Sequence, residues 1–247
     1  MVGSSPVYLV ASKGAKSARV VEHIGLKPPK DIPPAFQPND GNTWFQPKPA
    51  LYDAPGPGTP GMRVAKFEKY MLPKDAESGV TGLAFKLKPE GECPAVICEA
   101  TEVGFKDGPK FKADATDAIG MWIKGNGSMS RFKLFFKAPS VPTGWPGWLH
   151  FTDRGNVNFD GWRYFEAKIP DMFNAGRSST KGLELQLTGV AVGTARVALD
   201  PIEMVPVEND IAIGPVYIIP KGRAQDKSAA IQSGVEAIMK TVNDKDL

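Results

Sequence analysis

Hydrophobic and polar residues alternate in short segments from about Met62 to Pro206. Because successive side chains of a β-strand point to opposite faces, this alternation predicts strands with one buried face. Turn residues separate the segments, and many short strands of this kind predict an all-β, two-sheet antiparallel sandwich. The apolar residues that share one face of their segment are Leu83, Phe85, Leu87, Ile119, Met121, Ile123, Phe132, Leu134, Phe136, Leu149, Phe151, Phe165, Ala167, Ile169, Leu183, Leu185, Leu187, Val197 and Leu199.

A tight turn is predicted where Gly125, Asn126 and Gly127 separate two alternating segments. Asn-Gly favours a two-residue hairpin because both positions tolerate a positive φ. We therefore expect the strand ending near Ile123 to pair with the strand that begins near Phe132.

The chain before the alternating region has a different character. From Ala18 to Pro60 it is rich in proline and poor in periodicity. Proline interrupts sheet ladders and helix interiors, so residues 1–61 are predicted to form an extended arm packed on the sandwich, which spans residues 62–220. Trp44, Phe45 and Tyr52 are expected to anchor the arm, since buried aromatic residues more often serve packing than ligand binding.

The last part, residues 221–247, predicts a helix or a linker. Asp226 can cap a helix whose apolar residues recur with helical spacing. That stripe consists of Ile231, Val235, Ile238, Met239 and Val242. A single helix cannot bury such a stripe alone, so the helix either docks on the sandwich or begins a further domain.

Composition narrows the range of functions. The chain has 247 residues, including 26 Gly and 23 Pro, and a net charge of +3. The high proline content disfavours long helical bundles. Lys and Arg are not clustered, so nucleic-acid binding is not predicted. No apolar run reaches the roughly 20 residues needed to cross a bilayer, so no membrane span is predicted.

Catalytic signatures are sparse. Nucleophilic catalysis needs a base beside the nucleophile, and the chain has only His23 and His150. Cys93 and Cys98, with no histidine nearby, predict no zinc site. Two carboxylates could still hydrolyse a glycosidic bond across a cleft, which keeps a glycoside hydrolase or polysaccharide lyase as an alternative. The candidate carboxylates are Asp153, Asp160, Glu166 and Glu184.

Three segments occur in the order DAIGMWIKGNGS (117–128), FDGWRYFEAKIP (159–170) and ARVALDPIEMVP (195–206). In order and approximate spacing they resemble strands of the galactose-binding-like β-jelly rolls common among bacterial carbohydrate-binding modules. The resemblance covers residues 62–206. It implies a jelly-roll sandwich that binds a polysaccharide without catalysis, next to a catalytic domain in the parent protein. It also implies a secreted or periplasmic location, with a leader that this chain does not contain. A sugar-blind spacer or protein-docking domain is a further alternative, because one fold serves many functions.

The same resemblance implies a structural calcium beside the final strand. Asp200 is the position that matches the family's carboxylate ligand. Oxygen ligands suit a hard cation, although Asp200-Pro201 also suits an ordinary turn.

Strand periodicity also predicts a binding face, because residues that alternate with the core set must point the other way. Flat aromatic rings suit the apolar faces of sugars, and polar side chains suit their hydroxyl groups. The predicted shallow groove consists of Trp148, His150, Tyr164, Gln186 and Arg196, with Trp145 at its rim. Trp122 and Trp162 also alternate with the core residues. For these two, a place beneath the N-terminal arm is at least as well predicted as a place in the groove. The Lys and Arg residues on this face favour an anionic polysaccharide.

Overall fold

The alternating segments form strands, and the strands build two antiparallel sheets packed face to face. The structure is a computed structural model that describes residues 2–13, 16–47, 63–90, 98–126, 131–138, 147–150, 159–169, 182–194 and 209–244. The strands are β1 (Val2–Lys13), β2 (Lys16–Gly25), β3 (Thr43–Pro47), β4 (Arg63–Leu72), β5 (Gly82–Glu90), β6 (Cys98–Phe105), β7 (Lys110–Lys112), β8 (Thr116–Asn126), β9 (Arg131–Lys137), β10 (Gly147–His150), β11 (Asp160–Lys168), β12 (Glu184–Thr194) and β13 (Asn209–Pro220). A 3-10 turn spans Ala113–Ala115, and helix α1 spans Lys227–Asp244.

The seven-stranded sheet has the strand order β2-β1-β11-β8-β13-β5-β4. The six-stranded sheet has the order β10-β9-β12-β6-β3, and β7 pairs with β12 outside that path. Neighbouring strands are mostly distant in sequence, which is consistent with a jelly roll. The predicted fold class, an all-β two-sheet sandwich followed by a helix, is confirmed.

The main core lies between the two sheets. Ile119 and Met121 of β8 and Leu134 of β9 are completely buried in it, together with Phe165 of β11 and Leu185 of β12. Each large apolar side chain buried in this way stabilises the fold by roughly 1.5–3 kcal/mol. The period-two prediction of the core is therefore confirmed at these positions.

The turn predicted at residues 125–127 does not join two paired strands. Strand β8 ends at Asn126 in the seven-stranded sheet, whereas β9 begins at Arg131 in the six-stranded sheet. Both edges of β8 are already occupied, by β11 and β13. The hairpin prediction is wrong because the local preference of Asn-Gly does not decide which strands pair across the sandwich.

Residues 1–61 contain strands as well as loops. Strands β1 and β2 form a hairpin from the pair Ser4 and Gly25 to the pair Lys13 and Lys16. At its start, β1 also pairs with β11, and β3 pairs with β6 at the edge of the other sheet. This part of the chain therefore extends both sheets, where the sequence predicts only an arm. The irregular spacing of its short apolar segments conceals these strands.

A second apolar cluster covers the outer face of the seven-stranded sheet. The sheet contributes Ala84, Ala118, Trp122, Trp162, Tyr164, Ala212, Tyr217 and Ile219. Leu26 and Val80 are buried against these residues, and Ile32, Leu72, Ala224 and Ala230 pack at the margin. Two segments that lie far apart in sequence, one following β2 and one following β13, therefore cover this sheet together.

Polar contacts hold those two segments together. The Gln225 side-chain amide donates a hydrogen bond to the carbonyl of Lys27 (2.5 Å). The guanidinium of Arg223 pairs with the carboxylate of Asp31 (2.5 Å). The two segments that cover the seven-stranded sheet are therefore joined to each other by these two contacts.

Helix α1 begins with the predicted cap, because a carboxylate oxygen of Asp226 accepts a hydrogen bond from the amide of Ala229 (2.8 Å). The helix lies beside β2, and among its residues with described side chains Gly234 is buried and Ala230 is half-buried. Ile231, Val235 and Met239 of the predicted stripe are 39%, 45% and 54% exposed. These three residues therefore do not form the buried face of the helix, and the side chains of Ile238 and Val242 lie outside the described part of the structure. No helix in the described part of the chain is both long and apolar enough to cross a membrane.

Candidate binding face

One line of residues crosses the outer face of the six-stranded sheet. The register runs through Trp44 (β3), Gly104 (β6), Gly189 (β12), Phe135 (β9) and Trp148 (β10). Directly paired residues of antiparallel strands share a face, and the adjacent Val103, Val190 and Leu134 are buried in the core. We name this line the aromatic row. With strands about 4.8 Å apart, it is about 19 Å long.

Trp44 lies against the backbone of the neighbouring strand. A Cβ atom added at Gly104 would overlap the Cε2, Nε1 and Cζ2 atoms of the Trp44 indole. The absence of a side chain at Gly104 is therefore what lets the ring rest on the sheet. Trp44 is nevertheless 48% exposed, so a large part of a flat aromatic surface meets solvent.

A hydrogen-bonded loop fixes the start of β3 and so positions Trp44. Asn39 accepts hydrogen bonds at its side-chain oxygen from the amides of Gly41 (2.9 Å) and Asn42 (3.0 Å). The Lys69 ammonium of the other sheet donates to the carbonyl of Thr43 (3.0 Å), and Thr43 itself is buried. These bonds constrain the backbone next to Trp44.

The middle of the aromatic row is formed by a second glycine and by Phe135. A Cβ atom at Gly189 would overlap the carbonyl oxygen of Val103, so close strand contact requires glycine there. The register of β12 shifts just before Gly189, and the Thr188 hydroxyl donates to the carbonyl of Phe135 (3.2 Å). Phe135 is half-buried. The Trp44 ring therefore covers Gly104, and Gly189 is a second buried position without a side chain between Trp44 and Phe135.

A second line, parallel to the first, contains mainly polar residues. Two positions along each strand, the register runs through Gln46, Glu102, Ala191, Lys133 and His150. We name it the polar row. Its backbone lies about 7 Å from that of the aromatic row, which corresponds to two residues of a strand.

The opposite flank of the aromatic row is basic. Lys106 and Lys137 are exposed, and Lys137 pairs in register with Gln186. The Gln186 side-chain amide donates to the carbonyl of Gly108 (3.0 Å), so its orientation is fixed. We name Lys106, Gln186 and Lys137 the basic flank.

The structure brings together part of the groove predicted from the sequence. Gln186 lies on the basic flank, and Trp148 and His150 hold register positions in the aromatic and polar rows. The predicted positions Trp145, Arg196 and Asp200 lie outside the described residues.

Tyr164 does not belong to this face, which corrects its predicted place in a solvent-exposed groove. It lies in the seven-stranded sheet, completely buried, with its ring near those of Trp122 and Tyr217 (both 5.7 Å between centroids). Burial, reinforced by the adjacent Glu166 carboxylate, raises the pKa of Tyr164. The physical reason is the cover contributed by residues after β2 and β13, which strand parity does not reveal. Trp122 and Trp162 lie in the same cluster.

The buried carboxylate of Glu166 has a structural environment. It accepts hydrogen bonds from the Tyr164 hydroxyl (3.2 Å) and from the side-chain amide of Gln225 (2.8 Å). The backbone amide of Gln225 donates to it as well (3.2 Å). A buried charge needs such donors, and here they tie the C-terminal segment to the sheet.

The candidate carboxylates for hydrolysis do not form a facing pair among the described residues. Glu166 lies on the outer side of the seven-stranded sheet, whereas Glu184 lies in the other sheet and pairs with Lys110 (3.6 Å). Asp160 is six residues from Glu166 along β11, about 20 Å at the usual rise of a strand. Retaining and inverting glycosidases need about 5–10 Å between carboxylates. The described residues also contain no group of three or more His, Cys, Asp or Glu that could hold a metal.

The groove predicted from the sequence does not include Trp44, which is predicted to anchor the N-terminal arm, or Phe135, which has the outward parity of the predicted binding face. Both had a usable signal: Thr43 and Trp44 alternate inward and outward in β3, and Phe135 alternates with the core residues Leu134 and Phe136. The high proline content around β3 obscured the first signal.

Together, the fold and this face define an antiparallel β-sandwich with an aromatic outer surface on one sheet. A scan against protein-family models finds no match to the chain, and a search of curated proteins finds no similar sequence. The structure supports the sandwich fold that is expected for a galactose-binding-like module. Neither comparison shows that the chain belongs to that family.

Proposed function

We propose that the protein binds a polysaccharide without catalysis, through the outer face of the six-stranded sheet. The observation that carries this proposal is the exposed Trp44 indole resting on Gly104, in register with Phe135 and Trp148. The sequence resemblance to carbohydrate-binding modules points to the same function.

Physical chemistry favours a sugar on such a surface. A sugar ring has one or two apolar C–H faces and a rim of hydroxyl groups, so it needs a flat aromatic surface with polar groups beside it. Trp44 and Phe135 provide the former, and Gln186 provides a polar group beside them. Isolated exposed aromatic residues are common on proteins, but here Trp44 lies on one line across the sheet with Phe135 and the register position of Trp148.

The test is affinity electrophoresis of the protein in gels that contain different polysaccharides, together with an assay for released reducing ends. We expect retardation by at least one polysaccharide and no release of reducing ends. Trp44→Ala should abolish the retardation, because it removes the exposed ring at one end of the row. Release of reducing ends would favour the hydrolase or lyase alternative.

Tyr70→Ala provides the matched control. Tyr70 is also an exposed aromatic residue (37%), but it lies on edge strand β4 of the other sheet. Its replacement should leave the retardation unchanged. Equal retention of wild type and folded Trp44→Ala would refute the proposed face, and failure of the wild type to bind any polysaccharide would favour a spacer or docking domain.

Two further proposals rest on the resemblance alone. The first is a structural calcium ligated by Asp200, and the second is a secreted or periplasmic location beside a catalytic domain. A chelator should lower the melting temperature if calcium binds the folded state, and added Ca²⁺ should restore it. A melting temperature that is indifferent to both additions argues against the calcium site.

A further inference from the structure

The basic flank suggests which class of polysaccharide the face would take. Lys106 follows Gly104 by two residues, and Lys137 follows Phe135 by two residues. Both therefore lie on the same side of the aromatic row, at a backbone distance of about 7 Å from it. Two strand spacings, about 10 Å, separate them along the direction of the row.

The charge balance of this flank is positive. Counted with its neighbours in the turn after β6, in β7 and at the start of β12, it has the exposed basic residues Lys106, Lys110, Lys112 and Lys137 and the exposed acidic residues Asp107 and Glu184. Among the described residues Glu184 pairs with Lys110, rather than with Lys106 or Lys137. A positive strip beside a flat aromatic line attracts a ligand that repeats a negative charge along its length.

The shape of the face limits the ligand further. The aromatic row crosses the strands over about 19 Å, much more than one sugar ring needs. Along the row, the Trp44 ring lies over Gly104, and Gly189 carries no side chain. This geometry suits a linear polymer that runs across the strands.

We infer that the ligand is a linear anionic polysaccharide lying along the aromatic row, with its apolar ring faces on Trp44 and Phe135 and its acidic groups towards Lys106 and Lys137. This inference rests on the proposed function. The acidic groups are either carboxylates or sulfates, since both are anions that an ammonium group can meet. A single-stranded nucleic acid also combines stacking and charge, but its binding surfaces usually have a denser positive charge than this chain with its net charge of +3.

The test compares charged and neutral forms of the same backbone by affinity electrophoresis. Polygalacturonate is paired with its carboxyl-reduced form, and dextran sulfate is paired with dextran, so that the two pairs distinguish carboxylates from sulfates. We expect at least about tenfold stronger retention by the charged member of one pair. Raising NaCl from about 0.05 M to about 0.5 M should weaken that binding severalfold.

The double variant Lys106→Gln/Lys137→Gln should lower affinity for the charged polymer about tenfold and flatten its salt dependence. Lys168→Gln/Lys221→Gln is the matched control, because it removes two exposed charges away from the six-stranded sheet, one at the end of β11 and one in the turn directly after β13. It should change affinity much less.

The outcomes separate this inference from the proposed function. Salt-insensitive retention by neutral polysaccharides, abolished by Trp44→Ala, would overturn the anionic ligand and leave the binding face intact. Retention by no polysaccharide at all would overturn both. Tighter binding of an oligothymidylate than of any polysaccharide, again lost in Trp44→Ala, would assign the face to nucleic acid instead.

Discussion

The outer faces of the two sheets are both rich in aromatic residues, yet they differ in what lies over them. On the seven-stranded sheet, Trp122, Trp162 and Tyr164 are covered by residues after β2 and β13 and form a second core. On the six-stranded sheet, Trp44 is 48% exposed and Phe135 is half-buried. An aromatic residue on an outward strand position therefore does not identify a ligand site by itself, and the tertiary cover decides its role.

Glycines accompany the aromatic rings on both faces. A Cβ atom at Gly120 would overlap the Tyr164 side chain, just as one at Gly104 would overlap the Trp44 indole. The absence of a side chain at Gly120 lets the Tyr164 ring be buried under the cover. The absence of a side chain at Gly104 lets the exposed Trp44 ring lie flat on the sheet. Both rings pack against a glycine. Only the residues around them separate the structural role of Tyr164 from the proposed binding role of Trp44.

The largest difference between the faces should appear when Tyr164 is replaced by Ala. We expect the free energy of unfolding to fall by about 3–5 kcal/mol, because the substitution leaves a cavity in the second core. Urea-induced unfolding followed by circular dichroism measures this change. A loss below about 1 kcal/mol would contradict the view that the covered face is a core, and Trp44→Ala, measured in parallel, should stay below that value.

A smaller effect is expected from Gln225→Ala. The substitution removes the side-chain amide that donates to the Glu166 carboxylate and to the carbonyl of Lys27. Leaving a buried acceptor with fewer donors costs about 1–3 kcal/mol. Urea unfolding checks the magnitude, and Gln232→Ala on the exposed side of α1 is the control that should change stability little. Equal effects of the two variants would mean that the cover is not held by Gln225.

Alkaline pH should distinguish the two faces as well. The folded-state pKa of Tyr164 is raised, chiefly by burial, above the usual phenol value of 10.0. The stability that this neutral phenol contributes is complete below about pH 10 and is lost progressively as the pH rises above it, at up to about 1.4 kcal/mol per pH unit. Unfolding measured between pH 9 and about pH 11 should show this loss. Tyr164→Phe should show a shallower decline, and parallel pH dependences would contradict the assignment to Tyr164.

The sequence alone predicts part of the fold and part of the candidate site. Period two correctly placed Met121, Leu134 and Phe165 in the core, because strand parity is a local property. It could not show that Tyr164 is covered, since the cover comes from segments about 60 or more residues away in the chain, such as the one containing Gln225. The pairing of β8 failed for a similar reason. Asn126-Gly127 favours a hairpin locally, but other strands occupy both edges of β8.

Gly104→Ala should cause the smallest change in stability. It should nevertheless cause a large change in polysaccharide binding. The new Cβ would overlap the Trp44 indole, and the ring is exposed enough to move away. Strand glycine is itself unfavourable by roughly 0.5–1 kcal/mol relative to Ala, which offsets part of the cost of displacing the ring. We therefore expect a net change in unfolding free energy within about 1 kcal/mol, but a clear loss of polysaccharide retention.

A double-mutant cycle separates this displacement from general damage to the sheet. In the Trp44→Ala background the indole is absent, so Gly104→Ala should be neutral or slightly stabilising. The tryptophan fluorescence of Gly104→Ala should also differ from wild type, because the environment of the Trp44 ring changes. If Gly104→Ala destabilises the Trp44→Ala protein as much as the wild type, the substitution acts on the β3–β6 backbone and not on the ring. If Gly104→Ala leaves both the tryptophan fluorescence and the polysaccharide retention unchanged, the binding face does not depend on the contact of the Trp44 ring with Gly104.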